Sequence, residues 1–161
     1  MPSRHAVALL MTFLGAAACT GTPSRTTPPG SESSTAVALS CVGSEQLGPL
    51  PTWARAGFTP PDQPVAHVTG RRGEIVGVVF GHPLHAPPMA GRGNKILWVA
   101  QTYGAPLEIH ATLNGSDLAV DREVPGGPGP SLIDMPRAGC WTFTLSGGAQ
   151  HDELAVPYEG A

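Results

Sequence analysis

The chain has 161 residues, three cysteines and a formal net charge of −3, with 9 basic against 12 acidic side chains. That balance lacks the basic stripe of a nucleic-acid binder, so no nucleic-acid partner is expected. Hydrophobic residues at 41% keep the chain in the globular class, while glycine (21) and proline (18), together about twice average usage, favour strands and turns over helices.

Arg4 and His5 make a short positive start, residues 6–14 are apolar, and Gly15, Ala16, Ala17 and Ala18 are small residues ending at Cys19. This order of charged, apolar and small segments reads as a secretory signal peptide over 1–18, too short to span a bilayer as a stable helix. Ala16-Ala17-Ala18-Cys19 resembles the lipobox of bacterial lipoproteins, with alanine where that motif usually has leucine at its first position. The resemblance implies that Cys19 is lipidated, palmitate included, and becomes the new N-terminus. The alternative is an ordinary A-x-A signal cut at the same bond, which releases a soluble protein with a free thiol. Two acyl chains on the cysteine would anchor it stably, where one gives only marginal binding. Residues 20–35 (TGTPSRTTPPGSESST) have no apolar side chain to bury and, with Cys19, form a flexible linker over 19–35. In polyproline-like form sixteen residues reach roughly 50 Å.

Residues 36–161 are left to fold as one domain. With Cys19 assigned to lipid, Cys41 and Cys140 form an even pair in an oxidising compartment, and a disulfide is the simplest account. Metal binding by the pair, or two buried free thiols, are the alternatives. Residues 36–41 are expected as an early strand and 66–69 as a short one. The apolar run at 74–80 (EIVGVVF) suits a strand buried on both faces, and 95–101 (KILWVAQ) is the next. Leu107, Ile109, Ala111 and Leu113 alternate with Glu108, His110 and Thr112, and Asn114-Gly115 precedes Leu118 and Val120, so a hairpin with one wet face is expected. Trp141, Phe143 and Leu145 alternate again, and after Gly147-Gly148 so do Leu154, Val156 and Tyr158. About seven strands at these intervals suit an all-β fold, an antiparallel sandwich. Parity adds one detail: if Trp141 and Phe143 face the core, Cys140 points the other way, and its disulfide clips the N-terminal segment across an edge or outer face.

The segment 50–58 (LPTWARAGF), the strand 95–99 (KILWV) and Gly139-Cys140-Trp141 together resemble a group of exported actinobacterial lipoproteins of unknown role. The resemblance covers about 41–158 and implies an immunoglobulin-like β-sandwich; it brings no activity and no ligand.

His82-x-x-His85 with Met89, in a proline-rich loop, is the sharpest constellation, since imidazole and thioether together suit copper, or zinc through the histidines. No local carboxylate or cysteine completes a first shell. A hydrolase would need a nucleophile with a base and an orienter, and the chain has neither G-x-S-x-G nor H-E-x-x-H. Residues 126–130 (GGPGP) lack the lysine and helix of a phosphate loop and read as a plain loop. Trp98 and Trp141 lie in apolar strands and read as core. Trp53, between prolines, either plugs one end of the sandwich, the preferred reading, or is exposed for contact. The sequence therefore points to a non-enzymatic binding or structural module on the extracytoplasmic face of the cell membrane. Its partners would be the membrane, through the lipid, and an envelope protein or wall component, with no cofactor. A copper or zinc lipoprotein using His82, His85 and Met89 is the alternative, and an envelope enzyme with an unrecognised site the second.

Overall fold

The structure, a computed structural model, describes residues 38–102 and 104–161. The signal, Cys19 and linker assignments lie outside the described residues. Nine strands are present among the described residues: β1 (Glu45–Gly48), β2 (Val65–Thr69), β3 (Ile75–Val79), β4 (Lys95–Ala100), β5 (Leu107–Leu113), β6 (Ala119–Val124), β7 (Pro130–Leu132), β8 (Gly139–Gly147) and β9 (Gln150–Tyr158). They form two antiparallel sheets, one in the order β1-β2-β3-β4-β7 and the other β6-β5-β8-β9. The all-β antiparallel fold expected from alternation is therefore the one observed.

The main core lies between the sheets. Alternation along β5 sends Leu107, Ile109, Ala111 and Leu113 inward and Glu108 and His110 to solvent. On β8 and β9, Trp141, Phe143, Leu145, Leu154, Val156 and Tyr158 do the same. Trp98 of β4 meets Phe143 with ring centroids 6.2 Å apart, and Phe143 lies 6.4 Å from Tyr158, so a run of aromatic rings fills the centre. Polar tips of these side chains are satisfied: Trp98 Nε1 donates to Ser131 Oγ at 2.9 Å, Trp141 Nε1 to the Arg137 carbonyl at 3.0 Å, and Tyr158 O–H to the Ile133 carbonyl at 2.6 Å. Burial pushes the Tyr158 phenol far above its usual range, so it stays a neutral donor.

The continuous apolar run of β3 has a direct cause. Ile75 and Val79 face the inter-sheet core, while Val76 and Val78 face a second, outer cluster made by Leu50 and Ala54 with Trp53, Phe58, Leu97 and Val99 packed around them. The chain between β1 and β2, including a 3-10 turn at Thr52–Ala54, crosses the outer face of the first sheet and buries it.

Three expectations need correction. The early strand expected over 36–41 is absent at 38–41, which is irregular, and residues 36 and 37 lie outside the described residues. Side chains rather than a neighbouring strand take the Leu39 backbone: its N–H donates to Thr142 Oγ1 at 3.1 Å and its carbonyl accepts from Asn114 Nδ2. The first strand is instead β1, whose sequence EQLG has little strand propensity and is held by pairing with β2. Strand β7 grows from the last residue of the glycine-proline run read as loop, because Pro130–Leu132 reaches the edge of β4. The described residues form nine strands, against about seven expected.

Candidate functional site

Cys41 and Cys140 are joined in a disulfide across a sequence separation of 99. Cys140 sits on β8 opposite Pro157, and its neighbour Trp141 faces the core, so the bridge lies on the outer side of the four-stranded sheet as parity requires. Since β8 is an inner strand, the clip falls on the face and not on an edge. Asn114 completes the clasp: Nδ2 contacts Cys140 Sγ at 3.1 Å and Oδ1 accepts from Thr142 O–H at 2.8 Å.

The three residues of the suggested metal loop have separate partners. His82 Nδ1 meets the Glu45 carboxylate of β1, whereas His85 Nδ1 lies 3.4 Å from the Gly160 carbonyl at the other end of the chain. Met89 is exposed in the turn that Arg92 closes with a hydrogen bond to the Met89 carbonyl at 3.1 Å. Among the described residues no group of three His, Cys, Asp or Glu side chains is arranged to hold a metal ion. Buried Asn94 organises this loop. Its amide accepts from His85 N–H at 2.8 Å and donates to the His85 carbonyl and to Asp134, both at 2.8 Å. Asp134 is thus a half-buried acceptor.

Trp53 does not plug an end of the sandwich. It is half-buried in the outer cluster, on the face of the first sheet, where Arg55 Nε fixes the turn by donating to the Leu50 carbonyl at 2.7 Å.

The remaining outer surface, on the four-stranded sheet, is polar. Register places Asp121, His110, Thr144 and Glu153 in one row across β6, β5, β8 and β9, and Glu123, Glu108, Ser146 and His151 in the next. His110 Nδ1 lies 2.6 Å from Asp121 Oδ1, and Arg71 pairs with Glu153 at 3.1 Å. Two hollows of about 480 and 460 Å³ flank Thr144, one lined by Glu108, His110, Asp121 and Glu123, the other by Arg71, Arg72, His151 and Glu153. The row Asp121, His110, Thr144 has the residue order of carboxylate, imidazole and hydroxyl in a hydrolase, but all three are exposed. Among the described residues no hydrogen bond joins His110 to Thr144. Acyl transfer by such a row would need a hydrogen bond between imidazole and hydroxyl.

One residue that sequence reasoning passed over is Asp152. It is 2% exposed and its carboxylate accepts four backbone N–H bonds, from Arg72 and Glu153 on Oδ1 (both 2.9 Å) and from Glu74 and Ile75 on Oδ2 (2.9 and 3.1 Å). It thereby latches β9 to the turn between β2 and β3 in the other sheet. A methyl group on Gly70 would lie 2.1 Å from Asp152 Cγ, so only glycine admits the carboxylate here. The signal was present in the sequence: Asp152 has the parity of Leu154, Val156 and Tyr158, and a carboxylate on the inward side of a strand demands dedicated donors.

No protein-family profile, no curated protein and no solved structure matches this chain.

Proposed function

We propose that this protein is a lipid-anchored, extracytoplasmic envelope module. Its leader is exported, Cys19 carries the lipid, and the domain that follows the linker is an immunoglobulin-like sandwich. That domain binds or braces another envelope component and catalyses no reaction. The observation that carries this reading is the Cys41–Cys140 disulfide, since such bonds persist in oxidising compartments and are rare in the cytosol. Its position also suits a tether. Tension arriving from the N-terminal side enters at Leu39 and Cys41 and passes through the disulfide, Asn114 and Thr142 into β8, so β1 is not peeled from β2. The described residues contain no helix long and apolar enough to cross a membrane, so attachment in this reading rests on the lipid alone.

The test is intact mass and membrane fractionation of the protein made in a lipidating host, beside a Cys19→Ala variant. Diacylglyceryl mass and detergent partitioning in the parent, both lost in the variant, are the expected result. A parent that is soluble and unmodified would overturn the anchor.

A further inference from the structure

Each sheet has two edges, and three of the four are protected. Strand β7 is three residues long and carries Pro130, which has no N–H to offer. Strand β6 carries Asp121, Arg122 and Glu123, all exposed. Strand β9 is engaged by the Arg71 N–H on the Glu153 carbonyl at 3.0 Å, and just beyond its end Glu159 exchanges hydrogen bonds with Leu84 and Ala86. Strand β1, four residues long, is met by no further backbone partner among the described residues: Gln46 and Leu47 are exposed, Leu47 at 79%, and Val42 just before the strand at 94%.

Beside this edge lies a hollow of about 230 Å³ lined by Glu45, Gln46, Leu47, Ala66 and His82. Pairing sets Glu45 opposite Val68 and Leu47 opposite Ala66, so both side chains lie on the core side of the sheet at its open margin. The Glu45 side chain is 13% exposed, and its Oε1 touches His82 Nδ1 without an aligned hydrogen bond. A carboxylate mostly withdrawn from water, with the His82 imidazole beside it and no aligned donor on Oε1, favours a cation.

We propose that β1 is a docking strand for an extended peptide segment that adds antiparallel to its free edge. Two features of the occupant follow. Antiparallel addition places the residue facing Leu47 before the one facing Glu45, two positions apart, so the segment carries an apolar side chain and, two residues later, a lysine or arginine. A second copy of this chain is a poorer occupant, because β1 (EQLG) has no cation to set against Glu45. The site goes beyond the envelope-module reading and does not depend on Cys19 being lipidated.

The test is fluorescence anisotropy of labelled threonine-rich peptides with the protein as isolated from the expressing cell. One peptide carries valine and, two positions on, lysine; a second has glutamate in place of the lysine. The valine-lysine peptide is expected to bind about tenfold more tightly than the valine-glutamate one. Glu45→Gln, which keeps the side-chain shape, removes that preference, and Leu47→Lys abolishes binding of both. Equal affinity of the two peptides for the parent protein would sink the proposal, as would undiminished binding by Leu47→Lys with native circular dichroism. A dimer in light scattering that Leu47→Lys dissolves would show instead that a second copy occupies the edge. Should Leu47→Lys fail to fold, the peptide preference and its loss in Glu45→Gln decide alone.

Discussion

The two outer faces of this sandwich are finished by opposite means. On the first sheet, Val76, Val78, Leu97 and Val99 point outward, and chain 50–58 folds back over them with Leu50, Trp53, Ala54 and Phe58. On the second, outward positions are Glu108, His110, Asp121, Thr144 and Ser146, and nothing apolar asks for a cover except near Cys140, where the N-terminal segment is clipped down. One face is closed by burial, the other is left in water and secured at one point by a covalent bond and a few side-chain hydrogen bonds. The difference teaches that a sheet face in a small domain is covered where its own alternation demands it, and that a cover over a polar face has to be pinned rather than packed.

Substitutions separate these devices, from the largest expected effect to the smallest. Replacing Cys41 and Cys140 by serine releases a loop of about 100 residues and is expected to lower stability by about 4–5 kcal/mol in denaturant titration, with dithiothreitol reproducing the loss in the parent. Asp152→Asn sets an amide N–H₂ against backbone donors of the β2–β3 turn; about 2–3 kcal/mol is expected, read by calorimetry, with hydrogen exchange accelerating at Arg72, Glu74 and Ile75. Trp53→Ala uncovers part of the outer cluster and should cost about 2 kcal/mol, less than a core tryptophan, because the side chain is only half-buried. On the wet face, Glu108→Gln is expected to shift stability by no more than about 0.5 kcal/mol, and upward, since Glu108 stands directly opposite Glu123. An equal effect from Trp53→Ala and Glu108→Gln would erase the contrast between the faces.

Much of this was legible along the chain. Period-two alternation located β5, β6, β8 and β9, the continuous apolar run located β3, and the parity of Cys140 against Trp141 foretold on which side the disulfide lies. The site was less legible. Trp53 was noticed but its place was misjudged, because an end plug and a face cover have the same local composition. Asp152 was missed although its parity marked it, since the four donors that make a buried carboxylate tolerable come from the Arg72–Ile75 turn and from Glu153, and three of the four are nearly eighty residues away. His82 and His85 look like one motif in sequence, yet Glu45 and Gly160 draw them to different partners.

The all-β fold class and the inward and outward sides of each long strand follow from sequence alone, because side-chain alternation is local, and the Cys41–Cys140 disulfide is the simplest of the pairings the sequence allowed. The strand status of EQLG and PSL, the cover over the first sheet, the seat of Asp152 and the place of β1 at a sheet edge were decided only by tertiary structure. Each depends on which distant backbone groups arrive beside it, and no local pattern encodes that.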